Sequence, residues 1–197
     1  MRHSTLGLLL TLVLMTVLVS CSQDENNSAG PAGTTVDPAE TAALQYVAAH
    51  MDELQLRSGI DGVKVYRIQT DQYGDTHVRV DQTYYGLRVQ SGTGIVHLDA
   101  ELQPTSFSSG LIIGVETDVH NDISATTATA KALADFTSSG YVDHDVFTPE
   151  LVVMRTGTGD LLCWSLVVRS QTQLGAREYF VDAHTGEIVT WLDLVIS

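Results

Sequence analysis

The side chains able to do chemistry in this 197-residue chain are few and scattered. A helical hydrolytic zinc centre needs two histidines four residues apart with a glutamate after the first. The imidazoles then hold the metal and the carboxylate takes a proton from water. No His-Glu-x-x-His run occurs. His50-Met51-Asp52-Glu53 puts one histidine and one carboxylate on a single helical turn, and His97-Leu98-Asp99-Ala100-Glu101 sets one histidine near two acids. Two ligands do not close a tetrahedral site, so both runs read as polar surface positions. A serine nucleophile in a Gly-x-Ser-x-Gly elbow is absent too. Ser91-Gly92-Thr93-Gly94 lacks lysine and opens no helix, so it reads as a turn rather than a phosphate cradle. Asp71-Gln72-Tyr73-Gly74-Asp75 and Asp143-His144-Asp145 offer oxygens to a weakly held cation, but acidic loops account for both. In FVDAHTGEIV, Phe180 to Val189, His184 stands between Asp182 and Glu187 with strand formers on either side. Gly186 accepts a positive φ, and Asp182 and Thr185 can bond local backbone, which makes this a hairpin turn carrying a solvated histidine. Cys163, in Leu161-Leu162-Cys163-Trp164, reads as a buried small hydrophobe. The expectation is a chain with no catalytic residues, no metal ligands and no cofactor, and so not an enzyme.

Charge narrows the partners. The formal net charge is −14, and −15 once Arg2 is removed with residues 1–20. Such a surface repels nucleic acid and anionic headgroups. Residues 1–20 read as a secretory signal, with Arg2 and His3 ahead of an apolar run from Leu6 to Val19 that is short for a membrane span. The run ends Leu18-Val19-Ser20-Cys21, which resembles the lipobox of bacterial lipoproteins. That resemblance implies cleavage before Cys21, a diacylglycerol on its sulfur, and a place in the cell envelope. Ser22 after the cysteine points to the outer membrane in a Gram-negative cell. An acyl tether suits the acidic surface better than electrostatic adsorption does. With Cys21 lipidated, Cys163 has no partner for a disulfide.

The elements that position the remaining residues follow from periodicity. Ser22 to Val36 is rich in Ser, Asn, Gly and Pro and reads as a flexible tether. Asp37-Pro38-Ala39-Glu40 is a helix start, and Leu44, Val47, Ala48, Met51 and Leu54 follow at helical spacing as the inward face. After Gly59 the period becomes two. Strands are expected over Val63–Ile68, over Thr76–Tyr85 with Val78, Val80, Gln82 and Tyr84 on one face, over Gly94–Asp99, and near Leu111–Val115. A second unit begins near Val119. Ser124 caps a helix to about Thr137 with Ala125, Ala132, Leu133 and Phe136 inward, and strands follow over Glu150–Arg155, Leu161–Ser170, Arg177–Asp182 and Glu187–Leu192. Helix-then-strands occurs twice, which predicts an α+β fold of two small helix-on-antiparallel-sheet subdomains in tandem.

Two stretches also resemble known modules. Arg177-Glu178-Tyr179-Phe180-Val181-Asp182-Ala183-His184-Thr185-Gly186-Glu187-Ile188 is similar to the closing hairpin of PepSY domains, with the Trp164 strand before it. Thr76 to Val89 resembles the fungalysin/thermolysin propeptide (FTP) motif, with Gln82, Gly86 and Val89 as the matching positions and Val96-His97-Leu98-Asp99 as the next strand. Arg88 stands where many relatives carry Pro. The resemblance implies cystatin-like subdomains in four parts: signal 1–20, tether 21–36, FTP-like domain 37–118 and PepSY-like domain 119–197. It is the pairing found in proregions of thermolysin-like zinc metalloproteases, here expected without the catalytic domain. It implies a lipid-anchored module acting in trans on a secreted zinc metalloprotease, as inhibitor or folding chaperone. The segment carrying Trp191, Leu192, Leu194, Val195 and Ile196 would be its partner-binding strand, or else a final edge strand of its own sheet. The alternative is an envelope lipoprotein of structural or ligand-binding type that has lost protease contact.

Overall fold

The computed structural model describes residues 36–194. The expected signal, the tether as far as residue 35, Cys21, Val195 and Ile196 lie outside the described residues. Asp37 begins the first helix as expected: its carboxylate accepts the Ala39 N–H at 2.8 Å, ahead of Pro38. Helix α1 (Pro38–Ala49) buries Ala39, Ala43 and Val47, an i, i+4 row. The larger Leu44 is only half-buried and Ala48 is exposed, so the inward face differs from the expected one. Alanines on this row let the helix approach the sheet closely. Met51 and Leu54 lie beyond the helix end and reach the same core from the following turn.

Nine strands make one sheet: β1 (Asp61–Thr70), β2 (Thr76–Tyr84), β3 (Leu87–Leu98), β4 (Pro104–Gly110), β5 (His144–Val146), β6 (Glu150–Thr156), β7 (Gly159–Ser170), β8 (Ala176–Asp182) and β9 (Ile188–Asp193). Their order is β1-β2-β3-β6-β7-β8-β9, with β4 on β3 and β5 on β7. Helix α2 (Ala125–Ser138) lies between β4 and β5 in sequence. The architecture is mixed α+β, a large sheet with two helices. β2 alternates as expected: Thr76, Val78, Val80, Gln82 and Tyr84 are buried, while His77, Arg79, Asp81 and Thr83 lie on the opposite face.

Three strands differ from the sequence reading. β3 begins at Leu87 rather than Gly94 and takes in Ser91–Gly94, expected as a turn. Leu111–Val115 forms no strand. The fourth strand is Pro104–Gly110 instead, polar and exposed apart from half-buried Phe107. It lies at the side of the sheet, where neither face must be apolar, so no alternation marks it. β5 is three residues long and exposed, in the run read as an acidic loop.

All pairings are antiparallel except one. Arg88 and Val89 of β3 run parallel to Val152 and Val153 of β6, and these two registers carry the sheet across its middle. β3 can serve two neighbours because it is irregular at Ser91, where φ is +65°, and its register against β2 shifts between Asp81 and Thr83. Residues 93–98 then pair with β4.

Separate clusters fill the core. Ala39, Ala43 and Val47 pack with Leu56, Val78, Val80, Val96 and Leu98. Ala128, Ala132 and Phe136 of α2 pack with Leu166, Val168, Tyr179 and Val181. In the expected stripe Ala128 replaces Ala125, which is half-buried. Between these two clusters, Tyr84, Val89, Val115, Val153, Leu162 and Ala183 form a seam drawn from both halves of the chain. Phe136 is fully buried and stacks on Tyr141 at 4.4 Å between ring centroids. Phe136→Ala is expected to destabilise the fold by about 3–5 kcal/mol. Urea unfolding should show a lowered midpoint with an unchanged slope.

Candidate functional site: a clamped linker, an anchored turn and an open sheet edge

The Asp182–Glu187 turn is a docking device. Asp182 Oδ1 accepts the N–H groups of His184 at 2.8 Å and Thr185 at 2.7 Å, and the Asp182 carbonyl accepts the Gly186 N–H at 2.9 Å. Gly186 takes φ +75°, as the turn requires. Burial opposes ionisation of Asp182, but the donated N–H groups outweigh it and hold the carboxyl below the ordinary range. The turn then captures the chain entering α2. The Ala183 carbonyl accepts the N–H groups of Asp122 and Ile123, and Trp164 Nε1 donates to the Ile123 carbonyl at 3.0 Å. His184 is therefore not simply solvated: its Nδ1 lies 3.0 Å from Asp122 Oδ2. Ser124 follows at once and caps α2 by accepting the Thr127 N–H.

The linker from Leu111 to Asp118 is held by side chains from both halves. Gln82, 1% exposed, donates through Nε2 to the Ile112 carbonyl at 2.8 Å and accepts the Ile112 N–H at 2.7 Å. Its amide thus stands in for a missing strand. Gly92 makes room for it, since a Cβ there would fall 2.5 Å from Gln82 Oε1. Tyr84 donates to the Thr117 carbonyl, and Arg57, paired with Asp61, donates to that of Val115. From the other half, Arg155 donates to the carbonyls of Ile113 at 3.0 Å and Gly114 at 3.1 Å and pairs with Asp160. Asp160 accepts the Glu116 N–H at 2.8 Å. The Arg155 guanidinium holds the Asp160 carboxyl below its ordinary range, against the opposing effect of burial.

The groups weighed for chemistry are occupied structurally. Cys163 is fully buried, and burial raises its thiol to about 12, so almost no thiolate exists at neutral pH. His50 Nδ1 lies 2.8 Å from the Tyr46 carbonyl, and the His50 ring stacks on Tyr46 beside a shallow groove near Leu102 and Pro104. Asp71 closes its own turn by accepting the Tyr73 and Asp75 N–H groups. Asp143, His144 and Asp145 enter or flank β5. Among the described residues, no three of His, Cys, Asp and Glu stand together as a metal cage, and no helix is long and apolar enough to cross a membrane.

The candidate partner-binding residues lie on or beside β9, the last strand in the sheet order. Trp191 and Leu192 pair with Tyr179 and Glu178 of β8, and the Leu194 N–H donates to the Ala176 carbonyl. The three are 39%, 47% and 37% exposed. The Arg177 guanidinium lies over the Trp191 ring at 4.0 Å and bonds Asp193, which stiffens the indole in place. The sequence pointed to the linker-holding Gln82 only as a motif position; its role was hidden because a polar residue in a buried alternation names no partner.

The first four strands, with Gln82 among them, fall within a known motif. Residues 61–111 match the family model described as Fungalysin/Thermolysin Propeptide Motif, so β1 to β4 carry that propeptide motif. Among solved structures, the Bacillus megaterium YpeB C-terminal domain is similar at a TM-score of 0.42 and 14% identity, over 83% of this chain and 68% of its own. A candidate lipoprotein from Clostridium difficile 630 is similar at a TM-score of 0.32 and 9% identity, over 78% of this chain and 93% of its own. No curated protein matches the chain.

Two outcomes test the clamp. Gln82→Ala leaves a buried N–H and a carbonyl of Ile112 unpaired, so it should cost about 2–3 kcal/mol and speed hydrogen exchange at the Ile112 amide. Asp160→Asn should cost about 2 kcal/mol at neutral pH. The folded Asp160 carboxyl titrates below its unfolded value of about 3.9, so its contribution is full above that value and is lost as pH falls through the depressed folded one. Acid titration of both proteins by circular dichroism should therefore show their stabilities converging only at the acid end.

Proposed function

We propose that this chain is a non-catalytic propeptide-like module that binds a secreted zinc metalloprotease in trans, as inhibitor or folding chaperone. The observation that carries the reading is the propeptide motif at residues 61–111. On this reading residues 37–118 and 119–197 are tandem cystatin-like units, FTP-like and PepSY-like. The signal over 1–20 is removed, Cys21 carries the lipid, and the module hangs from the outer membrane on its tether.

The β9 edge supports a mode of contact. An edge strand offers backbone donors and acceptors to an added strand of a partner, and side chains beside it select the partner. Trp191, held over Arg177, is a preorganised aromatic anchor with Leu192 and Leu194 next to it. Val195 and Ile196 extend the same apolar run in sequence. The net charge of −14 favours a basic face on the protease and rapid, salt-sensitive encounter.

The test is to titrate the purified chain into the metalloproteases secreted by the same cell, and to refold those proteases in its presence. A fall in proteolysis or a rise in refolding yield is expected. Trp191→Ala should weaken the effect by about 2 kcal/mol, roughly thirtyfold in affinity. If neither proteolysis nor refolding responds to the chain, the reading fails. Recovery of a different envelope component on the immobilised chain would then favour a structural or ligand-binding lipoprotein.

A further inference from the structure

On the sheet face opposite α1, four strands bring one polar row together. His77 of β2 stands directly opposite His97 of β3. Gln69 of β1 pairs with His77 on one side, and Ser106 of β4 pairs with His97 on the other. The two Nδ1 atoms are 2.9 Å apart, with ring centroids 5.0 Å apart and planes at 75°. Each outer nitrogen is engaged: His77 Nε2 lies 3.4 Å from Asp71 Oδ2, and His97 Nε2 lies 2.9 Å from Ser108 Oγ. Neither the clamp nor the β9 edge uses this cluster.

The donor set fixes the tautomer. A carboxylate only accepts, so His77 Nε2 carries the proton that faces Asp71, and the neutral ring aims its Nδ1 lone pair at His97. In the metal-free protein a proton on His97 Nδ1 fills the gap, with Ser108 donating to His97 Nε2. Turning the Ser108 hydroxyl reverses the outer bond. His97 then carries its proton on Nε2, and two Nδ1 lone pairs converge. A carboxylate behind the first imidazole and a hydroxyl behind the second are the outer partners that orient histidines toward a metal.

We propose that His77 and His97 bind a divalent transition metal through their two Nδ1 atoms, with copper(II) or nickel(II) preferred. The donors argue for that class: imidazole nitrogens suit copper and nickel, and affinity rises along the first-row series to copper(II). Tetragonal nitrogen and oxygen sites suit copper(II) and nickel(II). Both rings are partly exposed on an open sheet face, so water or a group from a partner can complete the coordination. Binding moves the His97 proton from Nδ1 to Nε2, by exchange with solvent, and releases no net proton, since the ring is neutral in both tautomers.

The experiment uses the full chain with His3→Ala, so that the imidazole nearest the amino terminus does not compete. Copper(II) is titrated in and followed by electron paramagnetic resonance and calorimetry, with His50, His120, His144 and His184 present throughout as background. One equivalent with nitrogen hyperfine structure is expected, and it should disappear in His77→Gln and in His97→Gln. Asp71→Asn keeps both imidazoles and should weaken that equivalent by about tenfold. Copper should also raise the melting temperature of the parent and leave that of the histidine variants unmoved. Equal binding by parent and histidine variants would overturn the proposal. If those variants fail to fold, Asp71→Asn decides: weakened binding upholds the site, and unchanged binding overturns it.

Discussion

A stretch of chain with no ladder partner must find other bonds for its peptide groups, because a buried unpaired N–H or carbonyl costs as much as a lost hydrogen bond. The run from Leu111 to Asp118 is where that constraint governs this fold. It leaves β4 and crosses toward α2 without forming a strand. Gln82 satisfies both polar groups of Ile112, Arg155 takes the carbonyls of Ile113 and Gly114, Arg57 takes that of Val115, and Asp160 takes the Glu116 N–H. Gln82 and Arg57 belong to the first half of the chain, Arg155 and Asp160 to the second. The bonds that satisfy the linker therefore also tie the halves together.

The sheet alone ties them weakly. Its two halves share a parallel junction of two registers, Arg88 with Val152 and Val89 with Val153. What adds to it is apolar: Val115, carried in by the clamped linker, packs among Tyr84, Val89, Val153, Leu162 and Ala183. The Arg88–Glu150 ion pair lies at the same crossing but is exposed, so it adds little. Val89, inside the propeptide motif, and Ala183, in the turn after β8, lie some ninety residues apart in the chain, and both are buried in the same seam.

Much of this was legible in the chain. Asp37 and Ser124 announced their helices through capping, and β2 announced itself through strict alternation, since each signal is local. Of the expected α1 row only Val47 is buried within the helix, because close helix–sheet packing selects the small Ala39 and Ala43 in place of Leu44 and Ala48. β4 carries no signal in sequence, because a strand at the side of the sheet needs no apolar face, whereas its neighbour Leu111–Val115 resembles a strand because it is apolar. That run is apolar for the seam and the linker core instead. The partner of His184 is hidden in sequence because Asp122 is 62 residues away, and no local pattern encodes a contact at that range. The Asp71–His77–His97–Ser108 cluster was unreadable for the same reason: strand register alone brings His97 to His77.

Many of the titratable groups are bound to the backbone. Asp61, Asp160 and Asp182 each accept backbone N–H groups, and Arg57 and Arg155 donate to backbone carbonyls. Asp37 and Ser124 do the same at helix starts. These side chains act as permanent substitutes for secondary structure and cannot leave without exposing what they satisfy. His77 and His97 touch one another rather than the backbone, and Trp191 and Leu192 present side chains beside an edge strand. A fold that commits its polar side chains so heavily to its own peptide groups has a rigid interior, and rigidity lowers the ordering cost of binding at the positions left free. The contrast is between a frame held by polar side chains and an edge strand whose Trp191 and Leu192 stay partly exposed, with Leu194 just beyond it.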